Sequence, residues 1–203
     1  MGTIWTPHRF SGEALALDVA NSVVLRADPA LTFDRFDDPA QIVRFADAAS
    51  RFRSSELGDN RLVVSDPPVA KPRIVALREA TDGLFRSMSA EGGFRSDRLS
   101  PLLALCAAAL QARPLALTAE SDAPARGQGD IELESAVALS ALSLLEPRNR
   151  ARIRVCGNCG WLYLDRSRNG SRKWCDMSVC GNRQKARRHY RRFRADEAGS
   201  GHA

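Results

Sequence analysis

Residues 156–183 read CGNCGWLYLDRSRNGSRKWCDMSVCGNR, and four of the chain's five cysteines fall within them. The spacing is C-x2-C-x15-C-x4-C. Zinc favours four tetrahedral ligands, and Cys thiolate suits it. Two cysteines separated by two residues reach one ion from a single tight turn. The glycines at 157 and 160 supply the backbone freedom such a knuckle needs. Cys156, Cys159, Cys175 and Cys180 are therefore predicted to hold one structural Zn2+. A four-thiolate site is coordinatively closed and does not activate water. A zinc deaminase would need an H-x-E element, which the sequence lacks. The chain between the cysteine pairs is predicted to fold back as a hairpin. Trp161–Leu164 would form one strand, Asn169-Gly170 the turn and Arg172–Trp174 the return strand.

Beyond Cys180, Asn182–Arg194 is predicted to be a helix with a narrow apolar stripe of Ala186, Tyr190 and Phe193 packing on that hairpin. Its other faces are crowded with Arg183, Lys185, Arg187, Arg188, Arg191 and Arg192. Residues 148–194 carry 15 Lys/Arg against 2 Asp/Glu, a net of +13 in a chain whose total is +6, which leaves −7 for the rest. Like charges at i,i+4, such as Arg187 with Arg191, oppose the helix, and a polyanion would relieve them. Arginine suits phosphate because its planar fork donates two parallel hydrogen bonds. Arg168, Arg172 and Lys173 would extend the surface from the hairpin. Roughly one to three of these basic groups would serve as donors to the −2 zinc–tetrathiolate, which leaves most of the charge for a partner.

The preceding region reads as mainly helical. Helices are expected over Glu13–Leu25, from an Asp38 cap through Phe52, from Pro72 to Gly92 with a stripe of Ile74, Leu77, Thr81, Leu84, Phe85 and Met88, from Ser100-Pro101 onward, and over about Ser135–Leu145. Ser54–Lys71 is expected to be a loop, and Leu115–Thr118 and Ile131–Leu133 short strands. The fold class is thus α+β and mainly helical. An α-rich domain with a few short strands, residues 1–147, precedes a small treble-clef or ribbon-like zinc finger ending in a basic helix, residues 148–203. Hydrophobic content of 44% and charged content of 27% suit a globular core. The sequence has no membrane span. The start of the chain lacks a signal-peptide pattern and the cysteine count is odd, so the protein is expected in the cytoplasm. Asp18 and Asn21, three apart on an apolar helix, are candidates to line a small-molecule pocket. The competing reading is a polar pair satisfying backbone groups in the core or at a domain contact. No phosphate loop, nucleophile motif or His–carboxylate cluster is found, so no catalytic residues are assigned and no enzyme is expected.

These residues also resemble a known family. Cys156-Gly-Asn-Cys159, Leu164-Asp165-Arg166-Ser167-Arg168-Asn169-Gly170-Ser171-Arg172, Trp174-Cys175 and Cys180-Gly181-Asn182-Arg183 are similar to the CGNR zinc finger over about residues 150–193. Leu17-Asp18-Val19-Ala20-Asn21 and Leu77-Arg78-Glu79-Ala80 resemble the ABATE domain that precedes this finger, with Ser22 where the family pattern has Thr. The resemblance implies a bacterial stress-induced transcription regulator whose finger binds duplex DNA. The N-terminal domain would sense a small-molecule effector or form a homodimer, since one small finger reads few base pairs. The alternatives are an RNA- or ribosome-associated zinc protein, with Trp161, Tyr163, Trp174 and Tyr190 as stacking surfaces, and a finger that meets an acidic protein surface.

Overall fold

The computed structural model describes residues 3–58, 60–93, 95–112 and 129–200; for residues 192, 193 and 195–200 it describes the backbone alone. The predicted strand at Leu115–Thr118 lies outside the described residues.

The chain opens with a 3₁₀ turn, Pro7–Phe10, and a short helix α1, Leu15–Ala20. The longer helix expected over Glu13–Leu25 does not form. Glu13 and Leu25 both have positive φ, 63° and 52°, and the chain leaves Asn21 into strand β1, Val23–Val24. This pairs antiparallel with β2, Phe33–Asp34. Helix α2, Pro39–Phe52, starts where expected: Asp38 accepts from Ala40 N at 2.9 Å and Pro39 presets φ at the first position. The expected loop instead contains α3, Ser54–Leu57, and β3, Arg61–Val63.

Helix α4, Pro67–Glu91, and helix α5, Ser96–Ala112, both begin before the prolines expected to open them. Pro72 and Pro101 each occupy the sixth helical position. For α4, the Asp66 cap on Val69 N and Pro67 at N1 start the helix earlier, and Pro72 then forgoes a single bond near the start of the helix. Its predicted stripe, Ile74, Leu77, Thr81, Leu84, Phe85 and Met88, is buried. Strand β4, Asp130–Glu132, pairs parallel with β3. It leads into α6, Leu133–Ser143, which is buried on nearly all sides and packs against α1, α4 and α5. Helix α7, Pro147–Arg150, comes next.

The finger begins with β5, Ile153–Val155, antiparallel to β6, Leu162–Leu164. A single π-helical turn, Met177–Gly181, leads into α8, Asn182–Ser200. The hairpin expectation is corrected here. β6 pairs with the strand before the first cysteine pair, and Arg172–Trp174 is not a strand. The knuckle itself is the turn of the hairpin. Ile153, Leu162 and Leu164 join the body's core, while Tyr163 joins the cysteines, Trp161 and Trp174. The core therefore runs across the expected boundary at residue 147.

The packing of α8 is corrected too. Ala186 is exposed and Tyr190 is 69% exposed, so the expected stripe does not cover the hairpin. The physical reason is that the hairpin has no apolar face left: the body takes Leu162 and Leu164, and the metal-site cluster takes Tyr163. Among the described residues, no helix is long and apolar enough to cross a membrane.

Candidate metal centre

The first cysteine pair is shaped by the hairpin. Cys156 N donates to Trp161 O at 2.8 Å and Gly160 N to Cys156 O at 2.9 Å. Gly160 sits at φ 73°, a conformation that strains residues with a Cβ. The ring of Trp174 lies over Gly157, where an added Cβ would meet it at 2.9 Å. The second pair is shaped by Asp176. Its Oδ1 accepts from Ser178 N at 2.7 Å and Val179 N at 3.2 Å, and its carbonyl accepts from Cys180 N at 2.9 Å. This winds the π-helical turn that aims Cys180 at Cys175. Partial burial works against the Asp176 carboxylate, but bonds from Ser178, His8 and Val179 hold its pKa down at about 2.

The loop between the pairs is organised by side chains where a strand ladder was expected. Fully buried Asp165 accepts from Ser167 N at 2.9 Å and Arg172 N at 2.8 Å. Arg152 donates to Ser167 O at 2.6 Å and Asp165 O at 3.2 Å. The Tyr163 hydroxyl donates to Arg172 O at 2.5 Å. Burial and the neighbouring Asp165 push that phenol up to about 12, which keeps it a donor.

The four sulfurs lie within 4.8 Å of one another. Cys159 and Cys175 are 3.6 Å apart, and Cys175 and Cys180 3.7 Å. A disulfide would need about 2.0 Å. A tetrahedron with Zn–S bonds of about 2.3 Å has edges of about 3.8 Å, so the spacing fits one zinc ion bound by four thiolates. As thiols the sulfurs share protons. Bonds from Cys159 and Cys175 lower the Cys156 pKa, while the same sharing pushes Cys159 up to about 12 and raises Cys175. A divalent cation replaces these protons when bound. Cys106, the fifth cysteine, is a core residue bonded to Ala138 O, and burial pushes it up to about 11.

The predicted nucleic-acid residues fall into two groups. Arg172 is half-buried and committed internally: it donates to Cys175 O and Trp174 O and faces Glu13. Arg168, Lys173, Arg183, Lys185, Arg187, Arg188 and Arg191 are exposed, and none of them pairs with a carboxylate among the described residues. Arg192 lies on α8, but its side chain is outside the described residues.

Asn21 is brought to the seam between body and finger and Asp18 to the interior of the body, with the polar atoms of both side chains engaged. Asp18 accepts from Gly12 N at 2.9 Å and from Arg53 Nε at 2.5 Å. Complete burial pushes its carboxyl up to about 7 against the pull of Arg53. Asn21 donates to Leu162 O at 2.8 Å and accepts from Leu162 N at 2.9 Å, so its amide pairs with the edge of β6 as a strand would. Asn21 also borders a small cleft of about 190 Å³ beside Cys159 and Trp161; Asp18 does not.

Sequence reasoning missed several seam residues. His8 bonds Asp176 at 2.8 Å and stacks on Trp161. Arg86 donates to Gly160 O at 2.9 Å. Gly12 O accepts from Leu164 N at 2.9 Å. None carries a local signal, because each partner is more than 70 residues away. Comparison with curated proteins finds no match. Residues 152–193, which hold the hairpin, all four clustered cysteines and the first part of α8, match the CGNR zinc finger family.

Proposed function

We propose that the chain is a bacterial transcription regulator that binds duplex DNA through this finger. The N-terminal region would act as an ABATE-like domain that senses a small-molecule effector or dimerises in a stress response. Its work is binding, not turnover, in the cytoplasm. The finger is read as treble-clef-like, with a knuckle between two strands and then a helix.

The observation that carries this reading is the unneutralised surface of α8. Arg183, Lys185, Arg187, Arg188, Arg191 and Arg194 are exposed, without a carboxylate partner among the described residues, on a helix that starts two residues after a metal ligand. A closed four-thiolate site orients that helix rigidly at its root, and a helix of this girth fits the DNA major groove. Arg168 and Lys173 would add phosphate contacts. RNA recognition by a stacking platform is less well supported: Trp161 and Tyr163 are buried, Trp174 is half-buried and only Tyr190 is exposed.

The test is binding of zinc-loaded chain to duplex DNA and to structured RNA across a salt series. The triple variant Arg187→Ala, Arg188→Ala, Arg191→Ala should retain zinc, weaken DNA binding and reduce the salt slope by about 3 × 0.9. Unchanged affinity in that variant would remove α8 as the surface. Tighter binding to RNA at matched salt would move the function there.

A further inference from the structure

The buried arginines of the body are paired with carboxylates, with one exception. Arg53 faces Asp18, and Arg78 faces Asp34 at 2.7 Å. Arg35 has none among the described residues, although it is only 6% exposed. Its guanidinium is boxed by aromatic rings, with Cζ 5.2 Å from the Trp161 centroid, 5.6 Å from Phe33 and 5.9 Å from Trp5. Nη1 donates to Asn21 O at 3.0 Å, and Nε has no partner. Ring faces and one carbonyl attract a cation but do not neutralise it. A buried cation without a counter-charge is among the most costly groups a fold can hold.

The missing charge is across the seam. Trp161, whose ring Arg35 covers, closes the knuckle by accepting from Cys156 N. Cys159 is the least buried of the four cysteines and borders the same cleft as Trp161 and Asn21. Burial pushes Arg35 down to about 9 and neighbouring Arg9 pushes the same way, while Cys159 as thiolate pulls it back up. With zinc bound, the four thiolates and the dication carry a net −2. Within the finger, Arg172 reaches a ligand residue through the Cys175 carbonyl, whereas Arg152 and Arg154 donate to carbonyls of Ser167, Asp165, Ala151 and Ile153, none of which is a cysteine.

We propose that Arg35, a residue of the N-terminal body, is the counter-charge of the metal centre, so that metal retention and docking of the finger on the body depend on one side chain. This rests on zinc occupancy of the four-cysteine site. Metal-bound, the anion and the buried cation stabilise each other. Metal-free, Arg35 loses that counter-charge and keeps only the ring faces and the Asn21 carbonyl.

The test uses the full chain with Arg35→Met and Arg35→Lys. Zinc affinity is read by competition with a chromophoric chelator, and thermal unfolding is followed with and without zinc. Arg35→Met should weaken zinc about 10-fold or more, in the range of other residues that support metal ligands from outside the ligand shell. Arg35→Lys, which keeps the charge, should retain most of the affinity. The melting temperature of Arg35→Met should fall in the zinc-loaded protein and stay level or rise in the metal-free protein. Equal affinity for wild type and Arg35→Met would overturn the proposal. So would equal losses in the Met and Lys variants, or the same drop in melting temperature with and without metal. Should Arg35→Met not fold, Arg35→Gln against Arg35→Lys decides on the same terms. A wild-type chain that takes up no zinc would overturn the metal reading itself, and this one with it.

Discussion

The arginines around the loop between the cysteine pairs and those of the terminal helix are close in sequence and do opposite things. Arg152 and Arg172 turn inward and grip backbone carbonyls at Ser167 and Cys175, while exposed Arg166 reaches the Glu13 carbonyl. Arg183, Arg187, Arg188 and Arg191 point to solvent and pair with no carboxylate among the described residues. The first set replaces a strand ladder in a loop that has none. The second set makes no such bond among the described residues. A count of positive charge therefore overstates the surface available to a polyanion, because a guanidinium with five donors serves equally well as internal scaffolding.

The largest expected effect comes from stripping zinc from the four-cysteine site. Chelation should unfold the finger and also lower the melting temperature of the body, because Ile153, Leu162 and Leu164 belong to the body's core. Structural zinc in finger peptides is worth about 10–16 kcal/mol of apparent folding free energy. Calorimetry should show one transition shifted down, and a body transition that ignores the metal would break the picture of a shared core. Next in size is Asp165→Ala. It strips the acceptor from the Ser167 and Arg172 amides, and should cost about 3 kcal/mol in urea denaturation of the zinc-loaded chain. A loss below about 1 kcal/mol would mean that the loop does not depend on this carboxylate.

The smallest effects are the most discriminating. Arg152→Ala should cost about 1 kcal/mol of stability through its two lost carbonyl bonds. Arg188→Ala should leave stability within about 0.5 kcal/mol and reduce the salt slope of DNA binding by about 0.9. Each variant is to be measured both ways. An Arg152→Ala that loses affinity at unchanged stability would erase the division between inward and outward arginines.

Much of the site was legible because its signals are local. Two cysteines across two residues, with glycines beside them, make a knuckle within one short stretch, and the helix after Cys180 begins at Asn182 as read. Asp38 with Pro39 caps α2 as read, and the apolar stripe of α4 is buried as read. Misreadings arose where a local signal had a distant competitor. Asn169-Gly170 is a good turn, and Gly170 N does bond back to Ser167 O, but β6 had already found β5 on its other side. Prolines 72 and 101 look like helix starts, yet both helices begin earlier and carry them near their beginnings. Tyr190 recurs at a helical spacing that suggests packing, and it faces solvent because the hairpin has no free apolar face.

By itself, the sequence determined which four cysteines cluster, the segregation of charge into the last quarter, and the helical character of the body, since spacing, composition and capping act over a few residues. Only the tertiary structure decided that the finger is keyed into the body, that Asn21 serves as a strand partner for Leu162 141 residues away, and that Arg35 lies over the Trp161 ring without a carboxylate partner among the described residues. Register and counter-charge are properties of pairs. A pair brought together by burial of a common core leaves no periodicity in either of its members.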